Sequence, residues 1–408
     1  MPETFRPQNE REIGDALTWA ASANTPVDVR GSGAKRALGR PTTHGAVLDL
    51  SQLSGILMYE PEELVLQAKA GTPLAEIEAA LAAKNQELAF EPPDYGPLLG
   101  SSSKGTIGGL LACNLAGPRR IKAGAARDHF LGAVATAGHG QVFKTGGRVV
   151  KNVTGYDLCK ILAGSYGTLA VMSQVTVKVL PAAPEQRTVL ALGLGDMQAN
   201  AAMSAVLGSA TEASAAAHLP ANVAARSAVG AVARAGGAVT ALRIEGPPAS
   251  VAHRAKEVSK LLQTFGPTAE LDAADSRALW CEVRDVTPFC THDPTGDRAV
   301  WRISVAPSNG TIIAAAVRAL GGEHFYDWGG GLIWAALPAV AEAAVTLRAA
   351  VGACGGGHVT LMRGPESLRA AVPVFEPQDA AVKRVTKNIK AAFDPQGLLN
   401  PGRITADI

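Results

Sequence analysis

Between residues 104 and 179 the chain gathers glycine into a spaced series that leaves few folds open to it. The series runs Gly105-Thr106-Ile107-Gly108-Gly109, Asn114, Gly124-Ala125-Ala126-Arg127-Asp128 and Gly146-Gly147. It continues through Lys151-Asn152-Val153-Thr154-Gly155-Tyr156-Asp157-Leu158 to Gly164-Ser165-Tyr166-Gly167-Thr168-Leu169. Glycine lets backbone amides approach a ligand where a side chain would obstruct it, and successive exposed amides form a concavity that binds anions such as a pyrophosphate. Any one of these pairs also reads as an ordinary tight turn, a reading that loses ground over the whole ordered set.

The remaining bulk properties exclude rather than assign. A chain of 408 residues with 47% apolar composition is long enough for two or three well-formed domains. Its 38 basic and 36 acidic residues leave a formal charge of +2, which supplies no general attraction for nucleic acid or anionic lipid. Cysteines 113, 159, 281, 290 and 354 make no Cys-x-x-Cys pair, so neither a disulfide framework nor a metal or iron–sulfur site is expected. No basic leader with an apolar core opens the sequence, and no stretch of ~18 apolar residues follows. The expected location is the cytoplasm, with any attachment to the inner membrane made through partner subunits.

Before the glycine series, Ile13, Ala16, Leu17 and Ala20 recur at helical spacing, predicting a helix over 9–22. A strand over 26–30 then runs into Gly31-Ser32-Gly33. The third glycine of a dinucleotide fingerprint is replaced by Arg36, and Pro41 leaves no room for the following helix, so a Rossmann fold is disfavoured. The loop can still hold phosphate, through its amides and the charges of Arg30, Lys35 and Arg36. Strands over 47–50 and 64–68 and a helix opening at Thr72-Pro73 follow, and Val175, Val177 and Val179 predict a half-buried strand closing a domain. Beyond residue 187 the pattern becomes alanine-rich helices alternating with strands. Residues 300–362 read β-α-β-β-α-β, a ferredoxin-like half, with a less regular copy over 187–265 and a last helix over 379–393.

In this order, Arg30-Gly31-Ser32-Gly33, Gly105-Thr106-Ile107-Gly108-Gly109, Lys151 through Leu158, Asp327-Trp328-Gly329-Gly330-Gly331 and Asn400-Pro401-Gly402-Arg403 resemble the flavoproteins of the vanillyl-alcohol oxidase / p-cresol methylhydroxylase superfamily. Within it they are similar to the FAD-binding subunits of multi-subunit glycolate-oxidising complexes, over nearly the whole chain. The resemblance implies an α+β fold: a two-subdomain p-cresol methylhydroxylase-type FAD-binding domain over 1–182 and a ferredoxin-like α+β cap domain over 183–375. A C-terminal helix and tail over 376–408 would return to the FAD domain.

Carried over by position, Arg30, Gly31, Ser32, Gly33, Ala34 and Lys35 would surround the pyrophosphate with Gly105, Thr106, Ile107, Gly108 and Gly109. Asn114, Arg127 and Asp128 would lie close to the flavin or its ribityl chain, and Asn152, Gly155 and Leu158 would line the cofactor. Gly164, Gly167 and Leu169 fall on the adenosine side, and Arg403 returns towards the isoalloxazine. Gly108 is expected to be glycine because the backbone must approach phosphate there. Relatives that bind flavin covalently through the first loop place a histidine in it; this loop reads Gly-Ser-Gly-Ala-Lys-Arg, so FAD is expected to be held non-covalently.

Hydroxy-acid-oxidising relatives also carry a histidine pair followed by Gly-Asp-Gly-Asn in the cap, which this chain lacks, and no catalytic residue or metal set is identified. His324 and His358 read as buried structural histidines and Trp328 and Trp334 as core, while Arg302, Arg363 and Arg369 are cations that could meet a small carboxylate. Two functions follow from the resemblance. In the first, the chain is a flavin-bearing subunit that works with a second FAD-containing subunit and an iron–sulfur subunit on glycolate. In the second, it is a stand-alone FAD-dependent 2-hydroxy-acid dehydrogenase.

Overall fold

The structure, a computed structural model, describes residues 2–148, 155–290 and 298–407. The chain divides into two units, one of Met1–Ala116, Gly124–Ala182 and Pro377–Ile408, the other of Gly117–Ala123 and Ala183–Glu376. The short run 117–123, read from sequence as part of the first domain, belongs to the second unit.

The first unit opens with β1 (Glu3–Phe5) and a helix over Glu10–Ser22. Asn9 starts that helix, its side-chain oxygen accepting the Glu12 amide at 3.0 Å, while the Glu12 carboxylate accepts the Gln8 amide at 2.8 Å. Ile13, Ala16, Leu17 and Ala20 are all buried, in a core shared with Val27, Leu48, Leu398 and Leu399. β2 (Val27–Arg30) and β3 (Ala46–Asp49) complete a small parallel sheet in the order β1-β3-β2.

A second sheet follows, with β4 (Ile56–Glu60) and β5 (Val65–Lys69) leading to a helix over Leu74–Ala82. After the two-residue β6 (Gln86–Glu87) come β7 (Phe130–Ala137), β8 (Val142–Gly146) and β9 (Ala170–Lys178), and β10 (Leu180–Pro181) pairs back onto β6. The larger sheet is antiparallel in the order β4-β5-β9-β7-β8. β9 was expected to be half-buried. It is a central strand hydrogen-bonded to β5 and β7, and Val171, Ser173, Val175 and Val177 are buried together with Met172 and Thr176 on its other side. Central strands covered on both faces lose the simple in-out alternation.

The second unit is an eight-stranded antiparallel sheet. Its first half is β11 (Glu185–Leu192), a helix over Asp196–Leu207, β12 (Ala215–Leu219), β13 (Val239–Gly246), a helix over Pro248–Leu262 and β14 (Thr268–Leu271). The second half repeats the order with β15 (Arg298–Ser304), Gly310–Ala319, β16 (Glu323–Asp327), β17 (Leu332–Pro338), Ala341–Ala353 and β18 (His358–Arg363). The strand order β14-β11-β13-β12-β16-β17-β15-β18 places the two β-α-β-β-α-β halves edge to edge, joined where His218 meets Tyr326. Trp301, Ile303, Ile313, Val317 and Leu347 belong to one buried cluster with Leu242, Val258 and Leu262, which fixes the helices on one face. A further helix, Ala273–Arg284, was not anticipated from sequence; its Trp280 indole donates to Thr188 Oγ1 at 2.8 Å. Among the described residues no helix is long and apolar enough to cross a membrane.

Candidate functional site

The loop after β2 is the centre of the first unit's main cleft. Gly33 sits at φ +78°, a conformation glycine adopts without the Cβ penalty, and the turn closes through the Arg36 amide on the Gly33 carbonyl at 3.2 Å. The amides of Ser32, Gly33, Ala34 and Lys35 make no hydrogen bond within the described residues. The rest of the loop is tightly held. A Cβ on Gly31 would lie 2.6 Å from Thr106 Oγ1, and the Lys35 carbonyl accepts both the Leu38 amide at 3.1 Å and the Arg403 guanidinium at 2.8 Å.

Arg403 arrives there because the C-terminal tail threads back through the unit. Lys390, at the end of the helix Ala380–Phe393, donates to Asp394 at 2.6 Å, to the Thr168 carbonyl at 2.7 Å and to the Leu399 carbonyl at 3.1 Å. Asp394 in turn accepts the Leu398 and Leu399 amides. Asn400 then accepts the Val29 amide and donates to the Tyr166 carbonyl, both at 2.9 Å, which ties the tail to β2 and to the 164–168 turn. A Cβ on Gly167 would lie 2.8 Å from the Asn400 amide nitrogen.

The 105–109 segment contributes differently from expectation. Its helix, Ile107–Cys113, is capped by Thr106, and the Ile107, Gly108 and Gly109 amides are spent on the Thr72 carbonyl, the Ala70 carbonyl and Thr106 Oγ1. A Cβ on Gly108 would meet Ala70 Cβ at 2.7 Å and the Ala70 carbonyl at 2.8 Å, so packing against Ala70 is what requires glycine there. At Gly105, φ is +84° and a Cβ would lie 2.7 Å from the Lys35 ammonium.

Together Arg30, Gly31, Ser32, Gly33, Ala34, Lys35, Gly105, Thr106, Gly108, Gly109, Gly167 and Arg403 line one cleft. Ile107 is fully buried in the core beside it. The cleft also takes residues that sequence reasoning missed, among them Asp28, Cys113, Tyr166 and Met172. Asp28 is 3% exposed, 3.4 Å from Arg36 Nε and 3.9 Å from Arg30 Nη1, and its Oδ2 accepts no hydrogen bond. A charged residue between Val27 and Val29 of a strand was the available signal.

Burial pushes the Lys35 ammonium below its usual pKa, against the pull of Cys113 and Asp94. Burial likewise raises the Cys113 thiol despite Lys35 and Arg403. Among the described residues the cleft thus pairs unspent amides with Arg30, Lys35, Arg36 and Arg403 against one lining carboxylate, Asp28. That arrangement fits a diphosphate, whose charge would compensate a buried ammonium.

Other expected contacts lie elsewhere in the unit. Asn114, left-handed at φ +49°, ends the helix Ile107–Cys113 and uses its side-chain oxygen on the Arg127 amide at 3.0 Å. Arg127 is exposed, and Asp128 accepts the Ala125 amide at 2.9 Å. Gly155 is exposed at φ +82°, and Leu158 starts the short helix Cys159–Leu162. The Gly164 amide donates to the Leu111 carbonyl, and Leu169 is buried. None of these lines the cleft. Asn152 lies outside the described residues.

In the second unit, His324 is buried as expected, but His358 is exposed at the start of β18. His324 stands 3.3 Å from Asp196, which also faces His218 at 3.6 Å and pairs with Arg318. Trp334 is core, and Arg363 donates to the Phe289 carbonyl at 2.7 Å. Trp328 is buried too, with the Arg120 and Arg302 guanidinium carbons 4.5 and 4.9 Å from its ring centroid.

Comparison with known proteins agrees with this architecture. Residues 3–146 match the FAD binding domain family. The chain is 35% identical to glycolate oxidase subunit GlcE of Escherichia coli (strain K12) over 395 residues, covering 97% of each. It is 34% identical to glycolate oxidase subunit GlcD of Bacillus subtilis (strain 168), over 47% of this chain and 40% of that protein. The crystal structure of p-cresol methylhydroxylase with substrate bound superposes with a TM-score of 0.70 at 12% identity, covering 99% of this chain and 88% of that one. The chain therefore belongs to the family of glycolate oxidase subunit GlcE, FAD-binding oxidoreductases with the p-cresol methylhydroxylase-type α+β fold.

Proposed function

We propose that this chain is the FAD-bearing subunit of a glycolate-oxidising complex, which takes glycolate to glyoxylate and passes the electrons to a second FAD-containing subunit and an iron–sulfur subunit. The observation that carries the reading is the extent of the likeness to GlcE: it spans 97% of both chains, so the second unit is included, whereas the likeness to GlcD covers 47% of this chain.

FAD bound in the cleft supplies an acceptor for the two electrons that leave the carbinol carbon. The amides of residues 32–35 and the Lys35 ammonium would hold its diphosphate. Gly33 permits the turn that presents them, and Arg403, through the Lys35 carbonyl, fixes the loop's far end. The attachment is non-covalent, since residues 31–36 contain no histidine. No histidine lines the cleft among the described residues, and in this reading the base for the hydroxyl proton comes from a partner subunit. A positioned base is worth ~10²–10⁴ in rate, and its lack predicts weak turnover alone.

The test is glycolate-dependent dye reduction by the purified chain alone and after assembly with its two partner subunits. Turnover at least ~100-fold lower for the isolated chain is expected. Equal rates would replace this reading with a stand-alone 2-hydroxy-acid dehydrogenase.

A further inference from the structure

Asp28 is at odds with the rest of the cleft lining. Among the described residues it is the one carboxylate there, beside Arg30, Lys35, Arg36 and Arg403. A fixed negative charge lowers affinity for a diphosphate unless another part of the same ligand compensates it. The carboxylate is also short of partners. It is 3% exposed, and its Oδ2 is buried without a hydrogen bond. Arg36 and Arg30 stand 3.4 and 3.9 Å from it, and the Arg36 side chain is half exposed, so that pairing contributes little. Taking a carboxylate out of water is costly unless donors replace the lost hydration.

The backbone fixes where that carboxylate stands. In β2, Val27 and Val29 pack with the cluster around Ile13 and Leu17, so Asp28 and Arg30 belong to the opposite face. β3 pairs along one edge of the strand, with Val47 opposite Asp28. The returning tail holds the strand as well: the Val27 amide donates to the Leu398 carbonyl at 2.8 Å, the Asn400 amide donates to the Val27 carbonyl at 3.0 Å, and the Asn400 side chain accepts the Val29 amide at 2.9 Å. A strand tied in this way keeps its side-chain directions, and a donor for Oδ2 has to be brought into the cleft. FAD carries donors on either side of its diphosphate, the ribose hydroxyls of adenosine and the hydroxyls of the ribityl chain. Ribose presents two cis hydroxyls on a ring, which the two oxygens of one carboxylate can accept without the freezing of an open chain. Acidic side chains read nucleotide ribose in this way in dinucleotide-binding folds.

We propose that Asp28 is a specificity-determining residue of the cleft, accepting the ribose hydroxyls of the adenosine half of FAD and so selecting the dinucleotide. The diphosphate then meets Lys35 and the amides of residues 32–35 while the diol meets Asp28, so the same ligand answers both signs of charge in the cleft. A flavin mononucleotide, which has no adenosine, forgoes the second hold. The inference rests on the proposed function for the presence of FAD, and goes beyond it in giving the buried carboxylate a ligand group.

The experiment strips the full-length chain of flavin, refills it with FAD or with the analogue whose adenosine is 2′-deoxyadenosine, and reads both affinities from flavin fluorescence. In the wild type the analogue is expected to bind at least ~tenfold more weakly, the effect of removing a hydrogen bond to a charged acceptor. In Asp28→Ala the two flavins should bind within ~twofold of each other, and in Asp28→Asn the ratio should fall below that of the wild type. A carboxylate serving only as counterion to Arg36 would move both affinities together and leave their ratio unchanged. Equal affinities in the wild type, as a contact with the ribityl chain would give, overturn the proposal, and so does an undiminished ratio in either variant. If Asp28→Ala does not fold, the isosteric Asp28→Asn carries the same comparison. A wild-type chain that binds neither flavin overturns the proposed function along with this inference, whereas tight binding of both flavins alike overturns this inference alone.

Discussion

At Gly108 the neighbour that forbids a side chain is Ala70, and at Gly33 it is the backbone itself, so two glycines of one cleft predict different failures. Gly108→Ala would drive a Cβ into Ala70 at 2.7 Å and overpack the junction between β5 and the helix Ile107–Cys113. A loss of ~1–3 kcal/mol in stability is expected, read as a lower Tm in the flavin-free protein. At Gly33 a Cβ would meet only the Arg36 side chain, at 4.0 Å, but φ is +78°. A β-branched residue there should shift the loop and weaken FAD binding while leaving the stability of flavin-free protein within ~1–2 kcal/mol of wild type. If Gly33→Val melted far below Gly108→Ala, the loop would be a folding element rather than a ligand cradle.

Among the elements, the C-terminal tail carries a buried ion pair. Lys390 and Asp394 are 9% and 0% exposed, and burial holds the Lys390 pKa down despite Asp394. Lys390→Met would strand the Asp394 carboxylate in the interior, at a cost of ~3–5 kcal/mol, and would slacken the segment that delivers Asn400 and Arg403. A lower Tm together with weaker FAD binding is expected; unchanged FAD affinity would mean that the loop does not depend on the tail.

The join of the two halves of the larger sheet predicts a pH dependence. Burial pushes the His218 pKa down, opposed by Asp196 and reinforced by His324, and Nδ1 is paired with Thr240 at 2.9 Å. Burial would raise the Asp196 carboxyl, but His218, His324 and Arg318 hold it well below its usual range. Tyr326, packed on both imidazoles, is pushed above the ordinary phenol range by burial and by Asp196. His218 therefore takes up a proton less readily in the folded than in the unfolded chain, whose histidines titrate near pH 6.5, so stability should fall as pH falls through that value. Thermal melts from about pH 8 to 5.5 should show the fall, and His218→Gln should flatten it; an unchanged slope would remove His218 from the account.

How much of this was legible in the sequence depends on the range over which each element is determined. The helix Glu10–Ser22 and the repeat within β15 to β18 follow from local periodicity, and Gly31 to Lys35 from local turn chemistry. Partners far along the chain were not legible. Neither the 371-residue reach from Val29 to Asn400, nor Ala70 against Gly108, nor Asp196 between two histidines leaves a mark in spacing. The burial of β9 on both faces and the exposure of His358 likewise depend on which strands lie alongside.

For the whole molecule, the central claim is that one FAD is held without a covalent bond in the cleft formed by the 31–36 loop, the 105–109 segment and the returning tail. The most direct measurement is acid precipitation of purified protein, with flavin assayed in supernatant and pellet, for the wild type and for Gly33→Val shown by circular dichroism to be folded. About one flavin per wild-type chain is expected, all of it in the supernatant, with little or none in the folded variant. Flavin remaining in the wild-type pellet, or full occupancy in Gly33→Val, would contradict it.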